Sequence, residues 1–247
     1  MSVSTVRVVD LETTGSRPPA HAVCEIGWQD VTLGEDGWQV TASRGSSLVD
    51  PQRAIPPVTQ AVHHIIDEDV VGAPRWADIA PVVLRAFPVM AAHRASFEQR
   101  FCTPALSGGA RWICTWKCAL RLWPDSPSFS NQVLRYWRKP VGLDRELGLP
   151  VHRALPDAYV TAHHLRDMLA EASVDQLLEW SDLPGLLPRV PAGPDRGKGW
   201  AEIDDAALTG WLGDRDEDVR YSASVEQARR SGTVRDVAPP SQGSLFA

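Results

Sequence analysis

Three short segments carry side chains that could do chemistry together. In Val8-Val9-Asp10-Leu11-Glu12-Thr13-Thr14-Gly15, two acids stand two residues apart at the end of an apolar run. Residues two apart on a strand share a face, so Asp10 and Glu12 present their carboxylates side by side. Two such groups repel each other and lose hydration. A divalent cation relieves both problems, and oxygen ligands suit Mg²⁺ or Mn²⁺. The second segment, Ala92-His93-Arg94-Ala95-Ser96-Phe97-Glu98, follows a short apolar run. It puts Glu98 in the first turn of a helix expected to begin at Ser96, with Gln99 closing a capping box. The third, His152-Arg153-Ala154-Leu155-Pro156-Asp157, precedes an amphipathic stretch. Proline suits the first position of a helix, so a helix starting at Pro156 holds Asp157 in its first turn and leaves His152 in the loop before it. Histidine titrates near neutral pH, which suits general-base work.

Each segment alone has a plain structural explanation. Strands end in Asp-x-Glu by chance, first-turn acids favour the helix dipole, and a lone loop histidine is usually a surface residue. Their joint occurrence in this order outweighs those explanations. His163 and His164, further along the same expected helix, read as packing or surface residues.

The elements that must position these groups are legible from periodicity. Thr5–Leu11 reads as a buried strand. Ala22–Leu33 and Gly37–Val49 read as two more, joined by the turn Gly34-Glu35-Asp36-Gly37. An antiparallel three-strand meander follows. Short helices are expected around Val58–His63 and Glu68–Val71, a longer one over Trp76–Ala86, and a buried strand over Phe87–Ala92. Trp112–Cys114 reads as a strand with a helix through Leu122, Asn131–Trp137 as a helix, and Pro156–Ala172 as the clearest helix. The result is an α/β chain with a mixed sheet flanked by helices, the arrangement of ribonuclease H-like folds. That core occupies 1–182. Prolines and glycines mark 183–194 as a linker, 195–235 as a small acidic module with Trp200 and Trp211, and 236–247 as a flexible tail.

At 43% hydrophobic and 23% charged residues, the composition is that of a soluble globular protein. No stretch is long and apolar enough to span a bilayer, and Asp10 interrupts the N-terminal run early, so no membrane association is expected and the cytoplasm is the default compartment. Cys24, Cys102, Cys114 and Cys118 lack zinc-finger spacing and are expected to be buried and reduced. The net charge of −6 argues against a general basic coat. Segment 111–139, however, sets six cations against Asp125, for a net +5, whereas 202–218 carries a net −6. A local basic face can still hold phosphates.

On the strength of Asp10-Leu11-Glu12, the Glu98 segment and His152-x4-Asp157, the chain resembles the DEDDh 3′→5′ exonucleases. This DnaQ-like group includes polymerase proofreading subunits, ribonuclease T and oligoribonuclease. Val62-His63-His64-Ile65, Trp112-Ile113-Cys114-Thr115-Trp116-Lys117 and Arg121-Leu122-Trp123-Pro124 extend the resemblance over about residues 5–170, and Arg196-Gly197-Lys198-Gly199-Trp200 continues it faintly. The resemblance implies two Mg²⁺ or Mn²⁺ ions held by Asp10, Glu12, Glu98 and Asp157, with His152 activating water. It also implies that Leu11, Glu12 and Thr13, Thr14 and Gly15 contact the terminal nucleotide, while His63 and Phe97 seat the last bases. The family usually has Asn where this chain has Arg94 and Asp where it has Glu98. Arg94 then becomes a candidate phosphate contact, and the longer Glu98 makes weaker activity or a preference for Mn²⁺ an expectation.

The implied substrate is a DNA 3′ end, in repair or replication. The alternatives are an RNA-trimming exonuclease on the same fold, or a DNA- or clamp-binding scaffold with a weakened site. The tail Gln242-Gly243-Ser244-Leu245-Phe246-Ala247 resembles the peptides that dock bacterial replication proteins on the sliding clamp. Leu245 and Phe246 would fill an apolar pocket and Gln242 would make the polar anchor.

Overall fold

The structure, a computed structural model, describes residues 3–233. Gln242, Leu245 and Phe246 lie outside the described residues. The apolar run at the N-terminus forms β1 (Thr5–Thr13), which pairs antiparallel with β2 (Val23–Gly34), and β2 pairs antiparallel with β3 (Gly37–Leu48). The chain then forms α1 (Pro57–His63), a 3₁₀ turn at Asp67–Val70 and α2 (Trp76–Leu84). It returns through β4 (Val89–Ala92) to lie parallel beside β1. Two single-turn helices follow, α3 (Glu98–Phe101) and α4 (Pro104–Ser107), before β5 (Arg111–Cys114) pairs parallel with β4. The sheet order is β3-β2-β1-β4-β5. This is the expected mixed sheet of a ribonuclease H-like fold.

β1 lies at the centre and is buried on both faces. Val6 and Val8 pack with α5 (Thr115–Leu122), α7 (Ala154–Glu171) and α8 (Val174–Asp182), whereas Val9 and Leu11 pack with α2 and β5 on the other side. Alternation along the strand therefore assigns Asp10 and Glu12 to the same face as Val8, toward α7. Between α5 and α7 lies α6 (Asn131–Arg138), whose N-cap Ser130 accepts from the Val133 amide at 3.3 Å.

Two helix starts differ from the expectation. α7 begins at Ala154, not Pro156, because the buried Glu25 carboxylate on β2 accepts from the Ala154 amide at 3.0 Å and caps the helix from outside. Pro156 still falls in the first turn, where its missing N–H costs nothing. The helix expected from Ser96 begins at Glu98, with no side-chain cap, after Arg94 takes φ +68. A capping box at Ser96 and Gln99 is therefore absent. α8 was not foreseen in the sequence.

Within 183–194, the stretch from Gly185 to Val190 is packed, whereas 191–194 are exposed. The Gly185 amide donates to Asp218 (2.6 Å) and the Leu187 amide to the Ser222 hydroxyl (2.8 Å). Val190 joins Trp200, Ile203, Leu208, Val219 and Ala223 in a small separate core. That core belongs to α9 (Asp205–Trp211) and α10 (Glu217–Arg230), with Trp200 edge-on to Trp211. The four cysteines are free and buried. Among the described residues no helix is long and apolar enough to cross a membrane.

Candidate active site

The carboxylates meet because three backbone constraints converge. β1 fixes Asp10 and Glu12, with Asp10 opposite Gly27 and Glu12 opposite Glu25 in the β1–β2 register. Gly27 leaves no side chain between the sheet and α7. A Cβ there would lie 2.2 Å from the Ala154 carbonyl carbon and the Leu155 nitrogen, so only glycine lets the start of α7 come this close. Glu25 and Arg153 then tie the helix down through paired contacts of 2.8 and 2.9 Å. As a result one carboxylate oxygen each from Asp10, Glu12 and Asp157 lies within 4.8 Å of the others.

Burial and mutual repulsion dominate the electrostatics. Desolvation first, then the charges of Asp157 and Glu12, push the Asp10 carboxyl well above its ordinary value. Desolvation and the Asp157 charge push Glu12 up to about 8. Glu98 rises to about 8 through desolvation, with the Glu12 charge adding to it. Asp157 is also raised by burial, against the lowering effect of its hydrogen bonds. Glu98 is 3% exposed, and its Oε2 has no hydrogen-bond partner, although it falls outside the 4.8 Å group. An all-oxygen donor set, crowded, partly buried and short of positive charge, fits a hard divalent cation.

The structure distributes the remaining candidates as follows. His152 is exposed, at φ +59, and its amide donates to Asp157 Oδ2 at 2.7 Å. The loop Thr13–Gly15 is pinned by the Thr14 amide to Ala22 O (2.8 Å) and by the Thr13 hydroxyl to Gly15 O (2.8 Å). Leu11 is 5% exposed, with its side chain in the core on the face away from the carboxylates. His63 is buried, and its Nδ1 accepts from the Ile65 amide at 3.1 Å. Burial lowers its pKa. Phe97 is partly buried against Phe101. Arg94 stacks over Trp116 at 4.0 Å, in a groove whose far wall is Asp182 and Asp216, Glu217 and Asp218. His163 and His164 are buried in the core, as expected of packing residues.

Glu25, Arg153, Asn131 and Gln132 were missed in the sequence. Gln132 Nε2 donates to Asp157 Oδ1 at 2.8 Å, and Asn131 Nδ2 to the Asp157 carbonyl at 3.2 Å. An acid inside the apolar run Val23-Cys24-Glu25-Ile26 was the available signal for Glu25; nothing local marks the pair on α6.

A mixed sheet that gathers strand and helix carboxylates against a loop histidine defines a metal-dependent nuclease of the ribonuclease H-like class. The exonuclease family model matches residues 8–104. Exodeoxyribonuclease 10 of Escherichia coli (strain K12) is 33% identical over 211 residues, spanning 84% of this chain and 90% of that protein. The chain therefore belongs to the exonuclease family, in the DEDDh group that its motifs resemble. DNA polymerase III subunit epsilon of Treponema pallidum (strain Nichols) is 31% identical over 170 residues, 65% of this chain and 74% of that protein. A solved structure of exonuclease X in complex with 5′ overhanging duplex DNA matches with TM-score 0.60 and 32% identity, over 71% of this chain and 99% of that one.

Proposed function

We propose that this chain is a 3′→5′ exodeoxyribonuclease that releases nucleoside 5′-monophosphates from DNA 3′ ends. The observation that carries the reading is the convergence of Asp10, Glu12 and Asp157 within 4.8 Å. Relatives of at least 30% identity that are named for work on DNA support the substrate. Asp10, Glu12 and Asp157 would hold a pair of Mg²⁺ or Mn²⁺ ions, with Glu98 completing the set. Such ions, when bound, supply Lewis-acid stabilisation of the attacking and leaving oxygens.

The chain's own groups do the rest. The His152 imidazole takes a proton from water as the water oxygen bonds to phosphorus. The bond from phosphorus to the 3′ oxygen breaks, that oxygen takes a proton from solvent to become the 3′ hydroxyl of the shortened strand, and the nucleoside 5′-monophosphate departs. Asp157 accepts from the His152 amide, which keeps the backbone of the base in register with a cation ligand. The loop Thr13–Gly15, with Glu12, faces the terminal nucleotide, and Phe97 borders it, whereas His63 is too buried to touch a nucleotide and backs the loop from within. A role in repair or replication, with Gln242, Leu245 and Phe246 docking on a sliding clamp, is part of the same proposal. The tail's letters support it.

The test uses 5′-labelled single-stranded and duplex DNA, with matched RNA, in Mg²⁺ or Mn²⁺. Wild type is expected to yield a 3′-shortening ladder on DNA, and Asp10→Ala and Asp157→Ala none. Equal ladders from the variants refute the assignment, and faster RNA decay converts it to an RNA-trimming enzyme. Removal of 242–247 is expected to abolish capture by clamp-loaded beads; equal capture ends the clamp reading.

A further inference from the structure

Arg135 is an anomaly. It is 3% exposed, and among the described residues no carboxylate lies within ion-pair distance of it. A buried charge without a counter-charge is costly, so its position calls for another account. Its guanidinium donates to three neutral oxygens. Nη1 reaches Gly148 O at 2.6 Å and Gln132 Oε1 at 3.3 Å, and Nη2 reaches Arg145 O at 2.8 Å. It lies flat on Gly148, where an added Cβ would sit 2.9 Å from the guanidinium atoms.

Those contacts lead in two directions. Through Gly148 and Arg145 they hold the loop that runs on to His152. Through Gln132 they reach the carboxylate cluster. The Gln132 amide has one acceptor and one donor end. Arg135 engages the acceptor, so the donor end must point to Asp157 Oδ1, which it meets at 2.8 Å. Asp157 Oδ2 is held from the other side by the His152 amide at 2.7 Å.

We propose that Arg135 and Gln132 form a positioning relay that aims the Asp157 carboxylate at the divalent-cation site and couples that aim to the loop bearing His152. This rests on the reading of the carboxylate cluster as the cation site. Partners of this kind, which hold a metal ligand without touching the metal, typically contribute 10- to 100-fold in metal affinity.

The experiment measures Mn²⁺ binding to the full chain by electron paramagnetic resonance of the free ion, without substrate. Gln132→Leu keeps the side-chain volume but removes the donor. Gly148→Ala leaves Gln132 in place and displaces the Arg135 guanidinium. Both are expected to weaken the Mn²⁺ Kd about 10- to 100-fold. Metal-free melting should stay cooperative, and exonuclease kcat should fall with KM unchanged. Both variants within twofold of wild-type Mn²⁺ affinity overturn the relay. So does a loss of metal-free folding with normal Mn²⁺ affinity in the folded fraction, which is the mark of a merely structural contact. Because no substrate is present, the relay stands or falls on affinity whether or not the wild-type chain degrades DNA.

Discussion

The clearest energetic prediction concerns Glu12. Its carboxyl is raised from the ordinary 4.5 to about 8 by burial and by the Asp157 charge. A raised carboxylate pKa means that the folded chain binds more protons than the unfolded chain between the two values. Stability therefore falls as pH climbs through that window. At about 1.4 kcal/mol per tenfold, Glu12 alone costs about 1 kcal/mol at pH 5.5 and about 4 kcal/mol at pH 8. Glu12→Gln removes the charge, keeps the size and leaves the apolar surroundings unchanged. In EDTA, urea denaturation at pH 8 should show Glu12→Gln more stable than wild type by about 2 to 4 kcal/mol. The discount allows for Asp10 and Asp157 readjusting once Glu12 is neutral. At pH 5.5 the gap should shrink to about 1 kcal/mol. Saturating Mn²⁺ should reverse the order, because the ion stabilises only chains that bind it. If Glu12→Gln is equal to or weaker than wild type at pH 8 in EDTA, crowding of uncompensated carboxylates is the wrong description of this site.

Two further outcomes test separate parts of the geometry. His152→Ala should lower the exonuclease rate by about 10²- to 10⁴-fold and leave Mn²⁺ affinity and the melting temperature nearly unchanged, because the imidazole is exposed and only its amide touches Asp157; a rate within threefold of wild type removes His152 as the base. Gly27→Ala places a methyl 2.2 Å from the start of α7 and should cost about 1 to 3 kcal/mol with a large loss of Mn²⁺ affinity as Asp157 is pushed away; a crystal structure showing the helix unmoved defeats that account.

The sheet was legible because its cues are local. The turn at Gly34 and Gly37 fixed the β2–β3 hairpin, and the spacing of Asp10 and Glu12 fixed their common face. The helix starts were not legible where distant residues set them. Pro156 is the best local start for α7, but Glu25, 129 residues before the amide it caps, moves the start to Ala154. Similarly, 183–194 reads as a linker by its prolines and glycines, yet Leu187 and Val190 supply apolar surface that the small C-terminal core requires. Gln132 has no local signal, and Arg135 reads as one of the six cations of a basic face over 111–139, because an amphipathic helix explains both residue types; the fold instead buries Arg135. Only the fold shows that one points at Asp157 and the other lies buried without an acid.

The arrangement divides labour between buried and exposed parts. Asp10 and Glu12 are held on the central strand, and Asp157 by a helix seated on Gly27 and clamped by Glu25 and Arg153. These constraints hold three carboxyls close together in partly buried surroundings, which raises their pKa values, so protons relieve the repulsion and a bound cation would have to displace them. A preformed donor set limits reorganisation on binding, and the protons that an ion must displace make its affinity rise with pH. Under the proposed mechanism the proton acceptor needs the opposite property: His152 would approach substrate water and then release its proton to solvent. Its exposed position opens it to solvent, and one amide hydrogen bond to Asp157 keeps its backbone in register with the carboxylates.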